Sequence, residues 1–299
     1  MRVSNNLLNM KKFLKIFLVA ALVVSAVVAA DARRRPKKAA DTRLRLISYN
    51  IRMTTPKDTG LADWDTRKFA SVNMIRTEKP DVFGLQEPRW PQLDYLYAEL
   101  PEYDHYAEDK EGGLKESQCE AIFWLRDKYD LLDKGMYWLS ATPEKVSKGW
   151  DGNRRITVWV HLKDRETGRD FWYFCTHMDH RGMTARQKSA ELNVEKMEEI
   201  AGDKAVVFIS GDMNSQRDSK TGKFLIPYDD WMDDARERAK ETDDHRTYGG
   251  FDESSRSLWL DYIFSRNATP LRYRTLDSPT AYGLAHISDH YPICCDYEF

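Results

Sequence analysis

Ala205-Val206-Val207-Phe208-Ile209-Ser210-Gly211-Asp212-Met213-Asn214 opens with five apolar residues and closes on a glycine and two short polar side chains. Side chains of a strand alternate between its two faces, so a run that is apolar on both alternations is covered on both. That demands layers above and below the sheet. β-Branched and aromatic residues point to a strand over residues 205–210. Gly211 permits a turn or a close approach to a ligand. If the chain stays extended, Asp212 and Asn214 face the same way, and a carboxylate and an amide aimed at one point can align a water and hold the oxyanion that it attacks. The plainer alternative is an Asx-turn.

Further short runs of the same character, bounded by turn residues, predict strands at 44–51, 82–86, 121–125, 156–162, 171–176, 259–264 and 291–297. Helices are predicted at 65–78, 91–100 and 184–201. In the last, Ala190, Val194, Met197 and Ala201 recur at helical spacing and form one apolar stripe. The simplest architecture is a layered α/β sandwich in one domain over residues 44–299, without internal repeats.

Most of these runs end in polar groups. Ser48-Tyr49-Asn50 closes the first, where Asn50 is either a turn former or an uncharged amide that orients a water or a phosphate oxygen. Leu85-Gln86-Glu87-Pro88 ends the second in an acid; Pro88 excludes Glu87 from the right-handed helical region and stops the ladder. A carboxylate at the mouth of a sheet suits Mg²⁺, which takes one or two carboxylates and keeps several waters. A surface Glu is the alternative. Cys175-Thr176-His177-Met178-Asp179-His180 lacks zinc-site spacing, so phosphate contacts or supporting hydrogen bonds fit it better, with His177 the stronger candidate and a helix cap the alternative. Asp261 sits within Leu258-Trp259-Leu260-Asp261-Tyr262-Ile263-Phe264, and a carboxylate buried there needs a partner. The imidazole of His290, in Ile287-Ser288-Asp289-His290-Tyr291-Pro292, would gain orientation and basicity from it.

A composition 41% hydrophobic and 31% charged is that of a globular chain, and 299 residues can bury a substantial core. Residues 1–30 form a basic n-region, an apolar run from Ile16 and a small-residue exit at Ala29-Ala30, a secretory signal cleaved near Ala30-Asp31. The run is shorter than the roughly twenty residues of a membrane span, so no stable anchor is expected. Residues 31–43, rich in Arg and Lys, read as a basic linker. With +4 in each of these two segments, the formal charge of −2 leaves the body at about −10. Proteins that grip long nucleic acid present a basic face, so a small phosphoester is the expected partner and nucleic acid is disfavoured. Cys119, Cys175, Cys294 and Cys295 read as buried free thiols rather than a disulfide.

Taken together, Tyr49-Asn50, Leu85-Gln86-Glu87, Thr176-His177, Gly211-Asp212-Met213-Asn214, Asp261-Tyr262-Ile263-Phe264 and Ser288-Asp289-His290 resemble, in order and spacing, the endonuclease/exonuclease/phosphatase superfamily. The resemblance covers residues 44–299. It implies the deoxyribonuclease I-like fold, a four-layer α/β sandwich of two packed mixed β-sheets flanked by helices, and Mg²⁺-dependent, or Mn²⁺-dependent, phosphoester hydrolysis; a monomer is expected. Residue by residue it implies Glu87 as principal metal ligand with Asn50 and Asp289 nearby. His290, oriented by Asp261, would be general base or phosphate-polarising group. Asp212 and Asn214 would position the nucleophile and contact phosphate, His177 would serve the phosphate or leaving group, and Arg155 would contact phosphate. Tyr262 stands where some members have His, and Trp150-Asp151-Gly152-Asn153 has no assigned counterpart. An exported phosphoesterase acting on a lipid headgroup, sugar phosphate or nucleotide is the expected function. A secreted nuclease is the alternative, and a catalytically silent phosphate- or glycan-binding module would not need Glu87, Asp212 and His290 together.

Overall fold

The computed structural model describes residues 43–251, 257–277 and 281–299. The expected signal segment and all of the expected linker except Arg43 lie outside the described residues. One compact unit spans Thr42–Phe299.

Twelve strands form two sheets of six. The first contains β1 (Arg43–Asn50), β2 (Val82–Arg89), β3 (Tyr103–Asp109), β4 (Gln118–Leu125), β11 (Thr269–Thr275) and β12 (Ile293–Glu298), in the order β11-β12-β1-β2-β4-β3. The second contains β5 (Tyr129–Trp138), β6 (Ile156–Asp164), β7 (Asp170–His177), β8 (Val207–Asp212), β9 (Asp233–Asp234) and β10 (Asp261–Arg266), in the order β5-β6-β7-β8-β10-β9. Both sheets are mixed: β1 runs parallel to β2 and β7 to β8, and the other pairings are antiparallel.

Helices α1 (Trp64–Glu78) and α2 (Trp90–Glu99) cover the outer face of the first sheet, burying Ala70, Met74, Ile75, Leu93 and Leu96 against Ile47, Phe83 and Phe123. Helix α3 (Met183–Ala201) and the short α4 (Ile226–Trp231) cover the second, where Ala190, Met197 and Tyr228 meet Phe174, Val207, Ile209 and Phe264. A third cluster, including Leu44, Leu46, Val82, Ile122, Val158, Tyr173, Phe208, Ile263 and Tyr297, fills the space between the sheets. The result is a four-layer sandwich of the deoxyribonuclease I-like type. Burying one such large side chain stabilises the fold by about 1.5–3 kcal/mol.

Alternation along the strands locates the site. On β1, Leu44 and Leu46 face the other sheet, and the same parity continues through Ser48 to Asn50. On β8, Phe208 faces inward, Ser210 meets the hydroxyl of Tyr173 at 2.6 Å, and Asp212 is next in phase. β7 runs Phe171, Tyr173, Cys175, His177, and β2 runs Val82, Gly84, Gln86. The inter-sheet face is thus apolar along most of its length and polar at one end. Two glycines permit the close approach. A Cβ on Gly84 would lie 2.3 Å from the Tyr173 hydroxyl, and one on Gly211, at φ +155°, would lie 1.8 Å from the Thr176 carbonyl oxygen.

Several expected boundaries differ. The strand expected at 205–210 begins and ends two residues later, so Asp212 belongs to it; that at 259–264 begins at Asp261. The last strand begins at Ile293 instead of residue 291, which frees Asp289 and His290 from strand alternation. Pro88 does not end its ladder: β2 resumes pairing at Arg89 after an irregularity beyond Gln86. β3, β5, β9 and β11 carry charged residues within the strands themselves and so display no apolar run, and the sequence does not predict them. All four cysteines are free and buried; Cys294 faces the outer core and Cys295 the inter-sheet core.

Candidate active site

A cavity of about 590 Å³ opens at the polar end of the sandwich, lined by residues that include Arg52, Glu87, Lys110, Arg155, His177, Asp212, Asn214, Asp289 and His290. Asn50 and Asp261 stand immediately behind this lining, through their contacts with Asp212 and His290. Every site residue expected from the sequence is therefore in one place, contributed by both sheets.

Asp212 is the hub. Its Oδ2 accepts a hydrogen bond from Asn50 Nδ2 at 3.1 Å and lies 3.3 Å from His177 Nε2 and 3.7 Å from His290 Nε2; its Oδ1 accepts from the Asn214 backbone at 2.9 Å. That last bond is the Asx-type contact, and Asn214 has φ +47°, so Asp212 and Asn214 do not share a face by extended alternation. Asn214 instead points at the same cavity because Nδ2 is anchored on the Met178 carbonyl at 2.9 Å. On the other side of His290, Nδ1 lies 2.8 Å from Asp261 Oδ2, and both residues are buried. Asp261, His290 and Asp212 form a line from the strand core to the cavity.

Charge in this line is set by burial and by neighbours. Burial lowers the His290 pKa, but Asp261 and Asp212 outweigh it and raise the group to about 10, so His290 is an imidazolium at neutral pH. Burial raises Asp212; His290 opposes and Asp261 adds to the rise, which brings this carboxylate toward neutral pH. His177 is held neutral by burial and by the nearby Arg155 and His290 charges.

The second carboxylate group sits across the cavity. Glu87, at φ +71°, accepts from the Met53 backbone at 3.2 Å, and Asp289 lies 3.4 Å from an Arg52 guanidinium nitrogen. Burial raises the Asp289 pKa, His290 opposes, and Glu87 raises it further, which reflects two carboxylates in one field. Glu87, Asp289 and Asn50 offer hard oxygen donors, the set that Mg²⁺ or Mn²⁺ prefers. The tighter cluster of Asp212, Asp261 and His290, whose ligating atoms lie within 4.8 Å of one another, fits an ion less well. Its 2.8 Å Nδ1 to Oδ2 contact is a hydrogen bond, and an ion would have to displace that proton.

Sequence reasoning missed several members of the site. Arg67, fully buried, donates to the carbonyls of Ile51 and Ile287 at 2.9 Å each and ties the loop after β1 to the segment carrying Ser288-Asp289-His290. Lys110, from the β3–β4 turn, bonds Gln118 and faces the cavity. Glu120 is buried behind it, its pKa raised well above the usual range by burial, with Arg155 opposing. Tyr248 places its ring edge-on to His290 at 4.9 Å. None of these lies at the end of an apolar run, which was the only signal available. Tyr262 faces the outer core, where its hydroxyl donates to the Ser215 carbonyl, so its difference from His lies outside the cavity. Arg52, Glu87 and Asn214, three of the six non-glycine residues with positive φ among those described, line the cavity, as expected where a site holds its backbone under strain.

The family model of the endonuclease/exonuclease/phosphatase family matches residues 47–290. The chain belongs to that family. A family member from Bacteroides vulgatus superposes with a TM-score of 0.80 at 31% identity, over 87% of this chain and 100% of that one. A mannosyl-6-phosphatase from Bacteroides thetaiotaomicron does so with 0.78 at 32%, over 86% and 100%. The human nocturnin catalytic domain shares the fold, with 0.67 at 19% identity over 86% and 94%. Family membership makes this chain a phosphoric ester hydrolase by class, in a family that generally uses a divalent metal.

Proposed function

We propose that this protein is an exported, Mg²⁺- or Mn²⁺-dependent phosphomonoesterase that acts on a small sugar phosphate. The observation that carries the reading is Arg155. Its guanidinium is buried, lines the cavity and makes no hydrogen bond or ion pair to another described residue; Nε is a buried donor without an acceptor. An unmatched guanidinium beside Lys110 and the His290 imidazolium fits an anion with several oxygens. The 32% identity to a mannosyl-6-phosphatase supports a sugar as the esterified group, and the apolar run ahead of Asp31 supports export.

Glu87, Asp289 and Asn50 would hold the metal, which when bound offsets charge on the phosphoryl group. The chain's own residues do the rest. Arg155, Lys110 and His290 bind phosphate oxygens and hold phosphorus in line with a water beside Asp212. Asp212, its affinity for protons raised by burial, accepts the water's proton; His290 is already protonated and serves as the charge that polarises phosphate. Asn50 and the Asn214 amide fix the orientation of Asp212. His177, neutral and adjacent, stands where a leaving alkoxide needs a hydrogen-bond donor.

The test is a substrate panel assayed with Mg²⁺, with Mn²⁺ and with EDTA. Hexose 6-phosphates should be turned over with either metal and not in EDTA, and Glu87→Gln should weaken Mg²⁺ binding in calorimetry on folded protein. Turnover confined to phosphodiesters, or undiminished in EDTA, would sink the reading.

A further inference from the structure

The segment Trp150-Asp151-Gly152-Asn153 is built as a clamp on the cavity rim. Asp179 Oδ2 accepts from both the backbone N–H and the side-chain Nδ2 of Asn153, each at 2.8 Å, while its Oδ1 accepts from the backbones of Arg181 and Gly182 at 2.8 and 2.6 Å. Asp151 Oδ1 in turn caps α3 through the Ala185 N–H at 2.7 Å. The loop before β6 is therefore fastened to the loop after β7 and to the start of α3. There is no room for a larger residue at the crossing: a Cβ on Gly152 would lie 2.8 Å from both Asp179 Cγ and Ala185 Cβ. Four donors on one carboxylate hold Asp179 well below the usual carboxylate range, against the effect of burial, so the clamp is an anion that stays charged.

The clamp presents Asn153 to the cavity. With Nδ2 committed to Asp179, the amide oxygen is the group that Asn153 has left to offer, and Asn153 and His180 both line the cavity while remaining exposed. Partial desolvation and the nearby Arg155 lower the His180 pKa, which favours the uncharged imidazole. Tyr248, Leu258 and Leu260 line the same cavity. Burial divides the lining: Arg155 and His290 are buried, whereas the exposed Asn153 and His180, with Leu258 and Leu260, add an amide, an imidazole and apolar side chains. Hydroxyl groups on a ring with apolar C–H faces match that set; a polyanion or a long acyl chain does not.

We propose that Asn153 and His180, held by the Asp179 clamp, form a subsite for the hydroxyl groups of an uncharged sugar carried as the leaving group. The inference rests on the phosphomonoesterase reading and adds which part of the molecule selects the substrate. Loss of one such hydrogen bond should change discrimination by about tenfold.

The experiment compares the wild-type chain with Asn153→Ala and His180→Ala, at exposed positions, on a hexose 6-phosphate and on p-nitrophenyl phosphate, whose leaving group has no hydroxyls to bind. The expected result is a ratio of kcat/KM for sugar over aryl substrate that falls about tenfold in each variant, mainly through KM for the sugar. Equal losses on both substrates, or no loss on either, would overturn the subsite while leaving the phosphomonoesterase reading in place. A wild-type chain inactive on both monoesters would instead remove that reading, and the subsite with it.

Discussion

Asp261 and His290 are hydrogen-bonded, and we propose that they act as one functional unit. A carboxylate buried at the start of a strand needs a partner, and the 2.8 Å bond to Nδ1 supplies it while turning Nε2 toward Asp212. Asp261→Asn should lower kcat by at least tenfold, and adding His290→Ala should lower it little further, because residues acting together are non-additive. Steady-state kinetics giving the product of the two single losses would contradict the pairing. The same bond predicts a pH dependence of stability. The folded-state pKa of His290 is raised from 6.5 to about 10, so its charge contributes fully below pH 6.5, and that contribution is lost as pH rises through about 10. Denaturation at intervals between about pH 6 and pH 10 should show the gap between wild type and Asp261→Asn narrowing as pH rises; a constant gap would refute the charge assignment.

At the scale of elements, the site depends on where strands end and how closely they lie. β7 and β8 run parallel, with His177 opposite Asp212, and Gly211 lets the two backbones carry these side chains side by side. Gly211→Ala would push a methyl group into the Thr176 carbonyl at a φ that alanine rarely adopts. The variant should lose more than about 2 kcal/mol of stability, read as a lowered Tm, and its activity should fall with it. A variant with unchanged Tm would mean that the pair can separate without cost. The pairing of Asp212 with Asn50 was not legible in β8 itself: one carboxylate after an apolar run looks the same whether a loop or a second sheet faces it. The strands with clean apolar runs could be read and those with charged exposed faces could not. β5, Tyr129–Trp138, has exposed Asp130, Leu131, Leu132, Asp133 and Lys134 in succession, and no period survives that.

For the whole molecule, the order of the segments carries a prediction of its own. A basic start, an apolar run from Ile16 and Ala29-Ala30 before Asp31 have the composition expected of a cleaved leader. Mass spectrometry of the mature protein should find its N-terminus near Asp31, and an intact leader on protein recovered from the cytosolic fraction would rule export out. The layered α/β class was determined by sequence alone, because burial on both faces of runs such as 205–209 follows from composition and needs no knowledge of partners. The identity of Glu87, Asp212, Asp261 and His290 as a set was legible too, since each carboxylate or imidazole closes or interrupts an apolar stretch and so stands out locally. Only the tertiary structure decided which of them meet. Asn50 bonds Asp212 because β1 and β8 belong to facing sheets. His290 is charged because two carboxylates from other strands outweigh its burial. Asn153 reaches the rim because Asp179, 26 residues later, holds its loop. Local sequence encodes what a residue prefers to bury; the field and the contacts at a site are sums over segments far apart in the chain, and those sums exist only once the sheets have packed.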